Sequence, residues 1–194
     1  MTGRLRIAQS GLTIHSLNYR CPGPGRIVRQ RSLEVAQFTI RGLPPQLDGV
    51  LATGDLQGRD LDSSSLLGET LAKSMVGLLG GKQIGVVLSG DLYANQEADK
   101  MGVSGDVRPV WTAFAECFRW VAGVAGNHDT FGSDAEFAQL REAKNLFFLD
   151  GSSVVHRWPA RHRRLRNYRE AGASLAAFSG EFLDGGGSGP TAKA

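Results

Sequence analysis

The chain has 194 residues, 41% of them hydrophobic, which is enough to bury one sizeable core and fits a single domain. Its two cysteines, Cys21 and Cys117, stand at no metal-like spacing, so a disulfide framework and a zinc knuckle are both excluded, and a reducing cytoplasm suits the composition. The net charge of +3 is local: six arginines and no acid fall between Arg157 and Arg169, and the remainder carries 16 basic against 19 acidic groups.

At the N-terminus Gln9, Ser10, Thr13 and His15 interrupt any apolar run of the kind a signal segment needs. No stretch approaches the 18 or so apolar residues of a membrane span, so a cytoplasmic protein without membrane contact is expected. Residues 1–45 hold short β-like runs, Arg4 to Ala8, Ile27 to Val28 and Val35 to Ile40, separated by Cys21-Pro22-Gly23-Pro24-Gly25 and Gly42-Leu43-Pro44-Pro45. They read as a β-rich extension, a hairpin or an added edge.

Regular alternation follows. Strand Gly49 to Thr53 leads to a helix from about Ser65 to Leu79, strand Ile84 to Ser89 to a helix from about Pro109 to Arg119, and then to strand Trp120 to Ala125. Leu67, Leu71, Met75 and Leu78 make one helical stripe, and Val110, Phe114, Cys117 and Phe118 make another, so both helices are expected to cover a sheet. Trp111, Phe114 and Phe118 are read as core. A third helix is expected after Ser133, with Glu136 completing a capping box, and it ends near Lys144 before a strand from Leu146 to Leu149. Strand-helix alternation of this kind predicts an α/β fold with parallel strands, and ligands gather at the carboxyl ends of such strands.

Three strands end in polar residues at that edge. Leu51-Ala52-Thr53-Gly54-Asp55, Val87-Leu88-Ser89-Gly90-Asp91 and the run closing in Gly126-Asn127-His128-Asp129 deliver Asp55, Asp91, Asn127 and His128 at spacings of 36, 36 and one. Hydrolysis of a phosphate ester by two cations roughly 3.5–4 Å apart needs a shared carboxylate to hold that spacing. Hard oxygen donors with some imidazole suit manganese, iron, zinc or magnesium. Asp106, in Ser104-Gly105-Asp106, follows no apolar strand and reads as plain loop. His15 reads as a surface or hairpin residue, and Asp129 as structural.

Together, Gly54-Asp55-Leu56-Gln57-Gly58-Arg59, Ser89-Gly90-Asp91-Leu92-Tyr93 and Gly126-Asn127-His128-Asp129 resemble the signatures of the calcineurin-like metallophosphoesterases, over residues 47–150. The resemblance implies a sheet-on-sheet core flanked by helices and two divalent metal ions. It implies that Asp55 holds the first metal, Asp91 bridges the two, Asn127 holds the second, and His128 meets the phosphate as acid or electrostatic partner. Gln57 stands where the family has a metal-binding histidine; its amide either coordinates weakly or hydrogen-bonds a metal-bound water. Arg59 is either a substrate contact, with Asn127 and His128, or a solvated loop residue.

The family's later histidine motifs have no counterpart, since His156 and His162 lie in an arginine-rich stretch without the expected glycines. The chain thus reads as an extension over 1–45, a partial metallophosphoesterase domain over 46–151, and a divergent tail over 152–194, basic and then Gly-rich. That tail is expected to be either disordered or out of frame from near Ser152 or Ser153. The expected function is metal-dependent hydrolysis of a phosphomonoester or phosphodiester, weak or lost in the chain as given. The alternatives are a non-catalytic remnant that binds a cation or a partner, and a nucleic-acid binder using the six arginines with Trp158 and Tyr168.

Overall fold

A computed structural model describes residues 6–7, 11–23, 25, 27–44, 46–80, 83–95 and 103–149, and the backbone of Ala173–Ala177. The predicted alternation is present. Strands β4 (Gly49–Thr53), β7 (Ile84–Leu88), β9 (Trp120–Gly123) and β11 (Leu146–Phe148) lie side by side in chain order, and every adjacent pair is parallel. The helices between them are α1 (Leu67–Leu79), α2 (Arg108–Cys117) and α3 (Asp134–Arg141). Strands added always on the same side by crossovers of one hand place their helices on one face. The burial agrees: Leu51, Val86, Leu88 and Val121 share a buried cluster with Leu71 and Met75 of α1 and Val110, Trp111 and Phe114 of α2.

Local sequence explains where these helices begin and end. Gly80 closes α1 in a left-handed conformation (φ 73°), its N–H bonded to the Val76 carbonyl, the usual role of a glycine just past a helix. Pro109 sits in the first turn of α2, where its missing N–H has no intrahelical partner to lose. At α3 the predicted capping box is present: the Glu136 N–H donates to Ser133 Oγ, and the Ser133 N–H donates to Glu136 Oε2 at 2.8 Å. An aromatic group joins α2 and α3 to β11, with the Trp111 ring stacked on Phe148 at 4.3 Å and Phe131 and Phe137 edge-on to Phe148.

The first forty residues form a hairpin with an added edge strand, within the expected readings, but over longer strands than expected. Instead of short separate runs, β2 (Leu12–Gly23) and β3 (Ile27–Arg41) form one long antiparallel hairpin, with the two-residue β1 (Arg6–Ile7) added on β3. The pairing slips between Thr13 and His15, so Ile14 is an extra residue on β2. That bulge breaks the period-two pattern on which strand reading depends. Tyr19, Cys21, Leu33 and Val35 of the hairpin enter the same buried cluster as the helices and central strands. His15 is tied to α1 through Ser74, at 3.2 Å.

Among the described residues the strands make one eight-stranded sheet and two two-stranded ribbons, and no second large sheet is stacked on the first. The ribbons are β5 (Arg59–Asp60) with β6 (Ser65–Leu66), and β8 (Gly105–Asp106) with β10 (Asp129–Thr130). The backbone of β12 (Ala173–Ala177) lies between β3 and β4, antiparallel to the first and parallel to the second. Apart from this strand, the expectations for residues 152–194, including the arginine stretch, His156, His162 and the Gly-rich end, fall outside the described residues. Among the described residues no helix is long and apolar enough to cross a membrane.

Candidate functional site

β4, β7 and β9 end at the same edge of the sheet, and the chain leaves each by a tight bend. The bends touch one another through the main chain. The Ser89 N–H donates to the Thr53 carbonyl, the Asp55 N–H to the Gly90 carbonyl, and the Val124 N–H to the Leu88 carbonyl, at 2.9, 2.9 and 3.0 Å. Gly90 (φ 90°), Asp91 (φ 56°) and Asp55 (φ 52°) are all left-handed. Aspartate is among the few side chains that enter this region readily, though at some cost relative to a glycine, and such strain clusters at functional sites.

The glycines of the three motifs exist for closeness as well as for bending. A Cβ on Gly54 would fall 1.8 Å from Ser89 Oγ, and one on Gly126 would fall 2.1 Å from Asp91 Oδ1. On Gly90 it would fall 2.4 Å from the Gly126 nitrogen. Asp91 is thereby pressed against the bend that carries Asn127 and His128. Its carboxylate accepts from the His128 N–H at 3.4 Å.

Four of the predicted residues, Asp55, Asp91, Asn127 and His128, are therefore brought to one edge. Asp55 and Asn127 are exposed there, and Asp91 and His128 are half-buried. Gln57 is half-buried at the tip of a three-residue turn closed by the Gly58 N–H on the Leu56 carbonyl at 2.7 Å, two residues beyond Asp55. Arg59 is half-buried on β5, and its guanidinium donates to the Ala94 carbonyl at 3.3 Å and the Ser64 carbonyl at 3.5 Å. It ties the loop after β4 to the loop after β7, a bracing role that neither the substrate-contact nor the solvated-loop reading included.

Asp129, expected to be structural, braces two bends, and Asp106 gains a role that the sequence did not display. Asp129 accepts from the Leu92 N–H at 2.8 Å and from the Gly126 N–H at 2.9 Å, one bond to each of two neighbouring loops. Asp106, expected in plain loop, lies in the β8–β10 ribbon and grips Arg108 through both carboxylate oxygens, while Arg108 also pairs with Glu136 on α3 at 2.7 Å. The hydrogen bonds from Arg108 hold the Asp106 carboxyl below its ordinary value. Those from Ser133, with Arg108 adding to them, bring Glu136 down to about 2. A signal for this triad was present in the alternating signs of Asp106, Arg108 and Glu136, but only the fold reveals that Glu136 reaches the other two.

The donor set bears on what the edge can hold. Two carboxylates and one amide oxygen, from three adjacent strand ends, suit a single hard divalent cation whose remaining positions are filled by water. No group of three or more His, Cys, Asp or Glu side chains placed for a metal occurs among the described residues, so carboxylates and imidazoles alone complete no metal shell there. His128 Nδ1 and Thr53 Oγ1, both at this edge, are buried without a hydrogen-bond partner among the described residues. Such atoms are uncommon in folded proteins, and the indole nitrogens of Trp111 and Trp120 share this state. A groove of about 730 Å³, lined by Lys73, Arg108, Glu116 and Glu136 among others, contains none of the four edge residues.

Compared with protein-family models, with curated proteins and with solved structures, the chain finds no match in any of the three.

Proposed function

We propose that the chain is a partial metallophosphoesterase domain whose ancestral activity is metal-dependent hydrolysis of a phosphomonoester or phosphodiester, retained weakly or lost here. The observation that supports this reading best is the set of interlocked bends after β4, β7 and β9, which gather Asp55, Asp91, Asn127 and His128 on adjacent parallel strand ends. Asp55, Asp91 and Asn127 would hold a divalent cation such as manganese, with Gln57 close enough in sequence to assist. When bound, that cation supplies Lewis-acid polarisation of a phosphoryl oxygen and lowers the pKa of bound water.

The chain's own residues contribute orientation and charge. Asp91 is fixed by the Gly126 backbone and by the His128 N–H, so its carboxylate is held in place before any ligand arrives. His128, beside it, is the group that would hold a proton or positive charge toward a phosphate oxygen. Arg59 joins the substrate side through the loop it braces. The second half of the domain, with its stacked sheet and later histidines, is missing or scrambled in this reading.

The shortage of carboxylate and imidazole donors among the described residues favours a second reading, a non-catalytic cation-binding remnant. Hydrolysis of p-nitrophenyl phosphate and its bis ester, with and without manganese, separates the two. Turnover that needs manganese and disappears in Asp91→Asn supports the enzyme. No turnover, with manganese bound by the wild type and lost in Asp91→Asn, supports the remnant. Manganese bound by neither protein would remove both readings.

A further inference from the structure

We infer that Asp129 is a positioning residue for the cation-holding edge: its carboxylate staples the loop bearing Asp91 to the loop bearing Asn127 and His128. The inference rests on the metal-site reading above and deepens it. Oδ1 accepts from the Leu92 N–H at 2.8 Å, and Oδ2 accepts from the Gly126 N–H at 2.9 Å. The first of these amides belongs to the peptide unit that begins at Asp91, and the second lies immediately before Asn127. One side chain therefore sets the orientation of two of the three elements that present metal donors.

Asp129 is itself well held. Its own N–H donates to the Gly126 carbonyl at 3.3 Å, closing the bend through Asn127 and His128 from both ends. On the far side β10 pairs with β8: the Gly105 N–H donates to the His128 carbonyl at 3.0 Å and the Val107 N–H to the Thr130 carbonyl at 2.9 Å. The staple is thus anchored to the start of α2 and leaves Asn127 exposed at the tip of the closed bend. Asp91 needs such a restraint more than most residues, because a left-handed aspartate relaxes toward ordinary φ once its neighbours release it. Charge reinforces the arrangement, since an ionised carboxylate taking two backbone N–H groups makes stronger bonds than a neutral acceptor.

The staple can be removed in steps. Asp129→Asn keeps one acceptor oxygen and turns an NH2 group toward the other amide; Asp129→Ala keeps none. Manganese binding to the full chain, followed by the loss of the free-ion resonance signal, should weaken in that order, by about tenfold or more for the alanine variant, as is typical when a partner of a metal-holding residue is lost. Ser133→Ala serves as the control: it removes an α3 cap whose hydroxyl bonds Glu136 and none of the edge residues, and it should lower thermal stability while leaving manganese affinity unchanged. Unchanged affinity in both Asp129 variants overturns the inference while the metal-site reading stands. Equal loss of affinity in Ser133→Ala overturns it as well, because the effect would then follow stability alone. A pair of Asp129 variants that no longer fold at room temperature would show that the carboxylate holds the fold and not the site. A wild type that binds no manganese removes the metal-site reading itself.

Discussion

Placing a methyl group on Gly126 tests the closeness of the two central bends directly. An ideal Cβ there would lie 2.1 Å from Asp91 Oδ1, 2.2 Å from the Asp91 nitrogen and 2.5 Å from its Cγ. A carboxylate can swing away from such a contact, but a backbone nitrogen cannot. Comfortable contact begins near 3.4 Å, so the loops would have to part by about 1 Å. Overpacking of this kind costs about 1–3 kcal/mol. Parting the loops also weakens the Gly126 N–H bond to Asp129 and the His128 N–H bond to Asp91, each worth about 1 kcal/mol. The expected loss for Gly126→Ala is therefore about 2–4 kcal/mol, or roughly 5–15 °C in melting temperature for a chain of this size. Gly126 is not among the positive-φ glycines, so the whole effect is steric. Gly77→Ala is the matched control, because nothing lies within 4 Å of its Cβ position and it sits on the exposed side of α1. That substitution should stabilise by about 0.5–1 kcal/mol. Thermal unfolding followed by circular dichroism reads both. A Gly126→Ala protein that melts within a degree or two of wild type would refute the packing of the two bends.

Other perturbations reach different parts of the structure. Trp111→Ala removes a fully buried ring stacked on Phe148 and should cost about 3–5 kcal/mol in urea unfolding; a loss under about 1 kcal/mol would show that the aromatic group is not packed as described. Asp91→Asn should abolish manganese-dependent phosphodiester hydrolysis where the wild type has it, while the melting temperature without metal changes by only a few degrees; full activity in the variant would exclude Asp91 from the site. Glu136 has a folded-state pKa of about 2 against an ordinary 4.5, so its contribution to stability is complete above about pH 4.5 and is lost as pH falls toward 2. Glu136→Gln should therefore flatten melting temperature against pH between those limits, and parallel curves for variant and wild type would show that Glu136 is not held by Ser133 and Arg108.

The central strands and helices were legible because their apolar residues carry a clean period. Gly49–Thr53 is the strand the sequence predicts, and α1 begins two residues after the expected Ser65 because Ser65 and Leu66 pair with Arg59 and Asp60 instead. The hairpin was legible as a possibility but its length was not: the extra Ile14 shifts the alternation on β2, and the polar run Arg29, Gln30, Arg31 and Ser32 interrupts it on β3. Two-residue strands such as β8 have no period to detect, which is why Asp106 passed for loop. At the site, residue types and their places at strand ends were readable. The restraints on them were not, since the bonds from Leu92 to Asp129 and from Asp55 to Gly90 join residues about 35 apart and involve backbone groups that every sequence possesses.

The two faces of the parallel strands are covered unequally. A parallel sheet covered on both sides is written in nearly continuous apolar runs, and Gly-Val-Leu-Ala-Thr, Ile-Gly-Val-Val-Leu and Trp-Val-Ala-Gly are such runs. Burial nevertheless alternates along them. Leu51, Val86, Leu88 and Val121 are sealed beneath α1 and α2, whereas Val50, Ala52 and Ala122 are only half-buried and Val87 is 36% exposed. On that second face the Trp120 ring lies over Gly85, where a Cβ would fall 2.1 Å from the ring, and partly fills the space. A strand under selection for water on one side would carry Thr, Ser, Lys or Glu at Val50, Ala52, Val87 and Ala122. These positions instead carry side chains suited to a covered sheet, which is the same mismatch that the site displays: donors for one cation at an edge whose motifs resemble those of a two-metal enzyme. Both fit the proposed reading, in which a second layer would cover this face; among the described residues no such layer is present.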